Sequence, residues 1–313
     1  MTRMKLPLAL IAALWIAGPP GFAQSPVWPP SDHQTIPIWP GTAPGAASTS
    51  STAETDADVT TPKDGSPAGR PVYRIGVVVK PTITIYKAKG TGGPGPAMVV
   101  FPGGGYMHLA IDIEGTEVCD WLTSIGFNCV LLKYRVPNSG PYPKSSAALQ
   151  DAQRTMGLVR QHAAEWGIDP HRVGVLGFSA GGHLSAALSN IYEKRLYEPV
   201  DEADKLSCRP DFSVVIYPGY LALADQNFAP NPEIHPTMNT PPTLIVQAED
   251  DPVHVENSLV YYRQLKDAKV PAELHIYAKG GHGYGLRKTG NPVAVWPQDV
   301  ERWLHTIRVL GVE

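Results

Sequence analysis

Cysteine is scarce in this chain, and its scarcity narrows what the protein can be. Only Cys119, Cys129 and Cys208 occur in 313 residues. None belongs to a C-x-x-C pair, so a structural zinc site lacks its ligand set. An odd count at this spacing is not a disulfide scaffold either. Cys119 falls in a helical pattern and Cys129 in a strand pattern. Both read as plain core residues, with a bridge between them as the alternative. Charged residues make up only 18% of the chain, and 26 Lys plus Arg nearly balance 29 Asp plus Glu. No segment forms a basic stripe, so nucleic acid and anionic membranes are poor partners. There is no nucleotide-binding loop and no metal-ligand cluster, so no cofactor is implied. Long apolar runs are missing as well. The one candidate, 6–17, is shorter than the ~20 residues a bilayer span needs. Arg3 and Lys5 precede it and Gly21-Phe22-Ala23 follows it. That arrangement reads as a secretory signal peptide cleaved after Ala23. The expected protein is exported, periplasmic or secreted, with no membrane insertion after cleavage. Its expected partner is a neutral small molecule.

What the chain does contain is sorted along its length. Residues 24–71 are rich in Pro, Ser, Thr, Ala and Gly and form an expected arm, flexible or irregular over 42–70. Trp28, Ile36, Ile38 and Trp39 could pin its first part to the body. From Val72 to the C-terminus, short apolar runs alternate with helical periodicities. Val72–Val79 and Thr82–Lys87 read as a β pair around Lys80-Pro81. Strands are expected at 97–101, 128–134, 173–178, 212–217, 243–248 and 272–277. Several of these runs are apolar on both faces, as in buried parallel strands. Helices are expected around Val118–Ile125, as one long element from Ala148 to Trp166, and at 180–192, 255–269 and 298–308. The alternation gives an α/β domain over 72–313: a mostly parallel central sheet with helices on both faces. Ligands gather at the carboxyl ends of such strands.

Three motifs sit at such ends. Gly177-Phe178-Ser179-Ala180-Gly181 follows one strand and opens a helix. A sharp turn there lifts the serine hydroxyl above the sheet as a nucleophile, and the helix N-terminus favours developing negative charge. Pro102-Gly103-Gly104-Gly105-Tyr106 follows the 97–101 strand. Its N–H groups, with that of Ala180, could form an oxyanion hole. Gly280-Gly281-His282-Gly283-Tyr284 follows the last strand, and His282 is the expected general base. His183, in the helix after the serine, reads as structural. The acid should lie between serine and histidine. Glu249, Asp250 and Asp251 follow the 243–248 strand; Pro252 favours Asp251 by fixing the turn, with Asp250 as the alternative. Tyr106, His108, Glu114 and Tyr220 are candidate substrate contacts. Arg135 reads as a structural ion-pair partner.

These runs, together with Leu132-Lys-Tyr-Arg-Val-Pro, resemble bacterial α/β-hydrolase fold esterases of the acetylxylan- and feruloyl-esterase-like group, near the hormone-sensitive-lipase-like esterases. The resemblance runs from about Val72 to the C-terminus. In the lipase-like relatives the glycine run begins with His; Pro102 stands there in this chain and points to the carbohydrate-esterase side. The resemblance implies Gly104, Gly105 and Ala180 as oxyanion donors and Asp251, the Asp before Pro, as the acid. It implies removal of acetyl groups from decorated polysaccharides such as acetylated xylan, or from their oligomers. A feruloyl or general short-chain carboxylesterase, a lipase and a prolyl-oligopeptidase-type peptidase share the triad. A binding module on a hydrolase scaffold is the non-enzyme alternative. Neutral imidazole is needed for the base, so activity should fall on acidification.

Overall fold

The computed structural model describes residue 30 and residues 32–45, 58–60, 67–89 and 93–311. The expected signal peptide, 1–23, and much of the arm lie outside the described residues.

Eight strands build the central sheet: β1 (Gln34–Pro37), β2 (Thr82–Tyr86), β3 (Gly95–Phe101), β4 (Asn128–Lys133), β5 (Ile168–Phe178), β6 (Ser213–Ile216), β7 (Thr243–Ala248) and β8 (Ala272–Tyr277). Their spatial order is β1-β2-β4-β3-β5-β6-β7-β8. The β1–β2 and β2–β4 pairs are antiparallel, and every pair from β4 through β8 is parallel. All residues of β3, β4 and β7 are buried, which explains why their sequences are apolar on both faces. The edge strand β8 is only half-buried.

Among the described residues, six α-helices connect and cover the strands: α1 (Glu117–Ser124), α2 (Ala147–Gln161), α3 (Ala163–Trp166), α4 (Ala180–Asn190), α5 (Glu256–Asp267) and α6 (Trp296–Thr306). Trp121 of α1 meets Trp296 of α6 edge-on, and Trp296 in turn meets Phe178 of β5. α2 and α4 pack against each other and against β5.

The sheet departs from the sequence reading at its first edge. Val72–Ile75 and Thr82–Tyr86 are not partners. Val72–Ile75 pairs instead with Leu109–Ala110 in a separate three-stranded sheet, while β2 pairs with β1 and β4. Pro81 removes a ladder donor, and the chain leaves the first strand early, with Val78 bridging to Val136. The long helix expected from Ala148 to Trp166 is broken at His162 into α2 and α3. The cysteines are corrected too. Cys119 of α1 and Cys129 of β4 are joined by a disulfide, their Cα atoms 5.3 Å apart, and Cys208 is free and buried. Local periodicity sees each cysteine as a core position, and only the packing of α1 over β4 brings them together.

The arm contributes to the body. Ile38 and Trp39 are buried in the main core. The Trp39 indole N–H donates to Asp151 Oδ1 at 2.8 Å. Arg154 donates to the Ile38 carbonyl and Arg135 to the Pro44 carbonyl. Arg135 also pairs with buried Asp151 at 2.9 Å, as its structural reading anticipates.

Candidate active site

The carboxyl ends of β3, β5, β7 and β8 converge on one spot. Ser179 sits between β5 and α4 with φ 52° and ψ −115°. A non-glycine residue there is strained, and such strain is kept where surrounding contacts over-determine it. The two motif glycines make the bend possible. A Cβ on Gly177 would lie 1.9 Å from the Gly181 carbonyl oxygen, and one on Gly181 would lie 2.0 Å from the Phe101 carbonyl oxygen. The Ser179 N–H donates to Ile216 of β6, which fixes the turn to the sheet.

His282 reaches the serine from the loop after β8. Its Nε2 lies 2.9 Å from Ser179 Oγ, and its Nδ1 lies 2.9 Å from Asp251 Oδ2. The Asp251 side chain is fully buried, while that of His282 is 23% exposed. Asp251 also accepts from the Val253 N–H and from the Gln247 side chain. Of the two aspartates, Asp251 is the one that faces the imidazole. Asp250 turns to the histidine loop's backbone, and its Oδ1 accepts from the N–H groups of Gly280 and Gly281, both at 2.9 Å. The Gly281 N–H foremost, with the Gly280 N–H and Lys279, holds the Asp250 carboxyl below its usual range against the opposing effect of desolvation.

The oxyanion loop leaves β3 at Pro102. Gly104 has φ 132° and Gly105 φ 65°, conformations that glycine adopts without penalty. The carbonyl of Gly104 accepts from Met107 and His108, which turns the loop back on itself. Among the described residues, the N–H groups of Gly104, Gly105 and Ala180 have no protein acceptor. They are therefore free for an incoming oxygen. Tyr134 donates to the Pro102 carbonyl at 2.6 Å and braces the loop from beneath.

A cavity of about 790 Å³ opens beside Ser179 and Gly105. Tyr142, Tyr220 and Phe228 give it aromatic walls, with Asp225, Glu233 and Lys144 nearby. Of the four expected substrate contacts, Tyr220 lines this cavity and is 40% exposed. The other three are corrected. Tyr106 is buried, its hydroxyl bonded to His183 Nδ1 at 2.8 Å. Glu114 is buried behind the oxyanion loop, bonded to Gly103 and Tyr217. His108 is half-buried and outside the lining. Their proximity in sequence to the glycine run misleads, because the chain folds inward after Gly105. His183 is structural in geometry as well, and burial lowers its pKa to about 4.

Sequence reasoning missed Tyr217, Gln247, Tyr142 and Phe228. Tyr217 and Gln247 stand at or near strand ends, where position alone gives a weak signal. Tyr142 and Phe228 lie in loops without a motif.

Among the described residues, no group of His, Cys, Asp and Glu could hold a metal ion, and no helix is long and apolar enough to cross a membrane. The family model of the alpha/beta hydrolase fold matches residues 98–286. An acetylxylan esterase of Xylanibacter ruminicola is 32% identical over 238 residues, which is 68% of this chain and 46% of that protein. Endo-1,4-beta-xylanase B of Butyrivibrio fibrisolvens is 30% identical over 204 residues, covering 59% of this chain and 32% of the xylanase. The chain thus spans less than half the length of either relative. The solved structure of an acetyl ester-xyloside bifunctional hydrolase from Caldicellulosiruptor lactoaceticus superposes with a TM-score of 0.68 at 33% identity, over 89% of this chain and 97% of that one.

Proposed function

The chain belongs to the alpha/beta hydrolase fold family, and from that premise we propose that it is a serine carboxylesterase that removes acetyl groups from xylan or its oligomers. The observation that carries the reaction is the continuous relay Ser179–His282–Asp251, with 2.9 Å at each step. In this reading Ser179 Oγ attacks the ester carbonyl carbon and passes its proton to His282 Nε2. Asp251 steadies the imidazolium that forms. The carbonyl oxygen, now negative, takes hydrogen bonds from the N–H groups of Gly104, Gly105 and Ala180. One such donor can contribute roughly 3–4 kcal/mol in the transition state. His282 returns the proton to the leaving sugar oxygen, and an acetyl-serine remains. A water then gives its proton to His282 and its oxygen to the acyl carbon. Acetate leaves and the serine is restored.

The substrate class is supported by the cavity and by the relatives. An acetyl group fills little of 790 Å³, so most of that space suits the alcohol side of the ester. Tyr142, Tyr220 and Phe228 offer flat apolar faces of the kind that pack on sugar rings. Asp225 and Glu233 can accept from hydroxyls. The relatives named above act, by their names, on acetylxylan or on xylose polymers and acetyl esters. Export suits a polymeric substrate; it rests on the leader 1–23 and is proposed with it.

The test is acetate release from acetylated xylo-oligosaccharides beside 4-nitrophenyl acetate and feruloylated oligomers. The expected result is release of acetate from the xylan oligomers, lost in Ser179→Ala. Turnover retained by Ser179→Ala refutes the mechanism. Turnover of 4-nitrophenyl acetate without any of the oligomers refutes the substrate.

A further inference from the structure

We propose that Glu114 is a positioning residue that ties the oxyanion loop to the histidine loop and places a second negative charge behind His282. The proposal rests on the Ser179–His282–Asp251 reading.

Glu114 lies in the π-helical turn Asp112–Thr116, immediately before α1. Such wide turns concentrate at functional sites because they redirect side chains. Here the turn sends Glu114 into the interior, where it is 4% exposed. Its Oε2 accepts from the Gly103 N–H at 2.7 Å. Gly103 immediately precedes the two glycines of the oxyanion hole. Its Oε1 accepts from the Tyr217 hydroxyl at 2.8 Å. That hydroxyl oxygen in turn accepts from the Gly285 N–H at 3.2 Å, three residues past His282. The Tyr217 ring meets the His282 ring edge-on, with centroids 4.9 Å apart. One buried carboxyl therefore joins both catalytic loops through two partners.

The same segment holds the histidine loop a second time. Arg287 donates to Asp112 Oδ2 at 2.8 Å and pairs with Glu117 at 2.8 Å. The fit beneath the serine is close. A Cβ on Gly103 would lie 2.6 Å from Glu114 Oε2 and 2.9 Å from the Ser179 Cβ.

The hydrogen bonding also fixes the charge. The Gly103 N–H can only donate. Tyr217 already accepts from Gly285, so its own proton points to Glu114. Both carboxyl oxygens thus face donors, which suits a carboxylate and not an acid. Burial holds the Glu114 carboxyl above its usual range, and the Tyr217 hydroxyl, His282, the Gly103 N–H and Arg74 offset only part of that rise. The titratable groups that face it are Tyr217, His282, Tyr284 from the histidine loop, Tyr134 after β4, and Arg74 from the strand Val72–Ile75. The tyrosines are all raised by burial first, so they stay neutral. A carboxylate here stabilises protonated His282, the form present in the transition state.

The experiment is steady-state kinetics on 4-nitrophenyl acetate across pH for Glu114→Gln, Tyr217→Phe and the double variant, with thermal melts of each. In Glu114→Gln the new NH₂ faces either the Gly103 N–H, a donor, or the Tyr217 hydroxyl, whose own proton then loses its acceptor. Removing one oxyanion donor costs about 10²–10³ in kcat. Loosening the loop should lower kcat by about tenfold or more, with KM little changed. The acid limb of kcat/KM should move to lower pH, because His282 loses a stabilising charge. The double variant should be less impaired than the product of the single effects, because the two act through one link. A fall in melting temperature with kcat and the acid limb unchanged overturns the proposal. Should Glu114→Gln fail to fold, Tyr217→Phe keeps the Gly103 bond and decides alone: an unchanged kcat there is the overturning result. Turnover that survives Ser179→Ala would instead break the parent reading.

Discussion

Asp251→Asn removes a single charge and leaves the shape of the side chain intact, which makes it the sharpest probe of the relay. In the native site Oδ2 accepts from His282 and Gln247, and Oδ1 accepts from Val253. An asparagine has one oxygen for these three donors. If its oxygen stays toward Val253, its NH₂ faces His282 Nδ1. The imidazole must then carry its proton on Nε2, the atom 2.9 Å from Ser179 Oγ. That tautomer cannot take the serine proton. If the asparagine turns over, its oxygen still accepts from His282 Nδ1–H, but the Val253 N–H then faces the NH₂ of a fully buried side chain. A buried unsatisfied group costs about 1–3 kcal/mol. The first orientation strands a donor as well, because it turns the NH₂ toward the Gln247 side-chain N–H; in either orientation the charge that steadies the imidazolium is gone, and in the first the imidazole is also in the inactive tautomer. The equivalent loss in a serine protease triad is about 10⁴-fold in kcat, or about 5 kcal/mol. We expect Asp251→Asn to lose about 10³–10⁴ in kcat on 4-nitrophenyl acetate, with stability lowered by no more than the about 1–3 kcal/mol of one stranded donor. Asp250→Asn is the matched control. The single oxygen Oδ1 accepts both of its loop N–H groups, and an amide oxygen does the same. That variant should lose less than about tenfold. The reasoning is refuted if Asp251→Asn stays within tenfold of the native enzyme, or if the two variants lose equally.

Two predictions address the fold. Replacing Cys119 and Cys129 together by alanine opens a loop with a sequence separation of 10 and should lower stability by about 2–3 kcal/mol; a urea midpoint equal to the native one contradicts this. His183 is buried and neutral, with its pKa lowered by burial from 6.5 to about 4. The unfolded chain takes up this proton first, so stability should decline as pH falls from about 6.5 to about 4, by on the order of 3 kcal/mol. In His183→Gln that part of the slope should vanish in urea titrations run between pH 4 and 7, and an unaltered slope would remove His183 as its source.

The turn that presents Ser179 was legible because its signal is local. Gly177, Ser179 and Gly181 are dictated by one tight bend, and a bend needs only its own neighbours to be recognised. His282 was legible for a related reason, as a histidine among glycines directly after a strand. The parallel sheet could be read from runs that are apolar on both faces, and β7 and β8 have the expected bounds. What escaped depends on chain segments far apart. Cys119 and Cys129 look like core positions until α1 lies over β4. Glu114 follows the glycine run, which suggests a substrate contact, yet a π-helical turn points it inward. Tyr217 ends an apolar run, and only the arrival of Glu114 and Gly285 beside it gives its hydroxyl a task. The strand Val72–Ile75 alternates like one half of a hairpin, but the partner it finds is Leu109–Ala110.

The N-terminal arm carries a consequence beyond packing. Arg135 and Arg154 belong to the body, yet each takes a backbone carbonyl from the segment 38–44. Asp151 likewise needs the Trp39 indole as well as Arg135. A chain begun at Val72 would keep every catalytic group and still strip three interior ions of part of their solvation substitute. The segment 34–44 is thus structurally part of the hydrolase body, supplying it a sheet strand, an indole donor and two carbonyl acceptors.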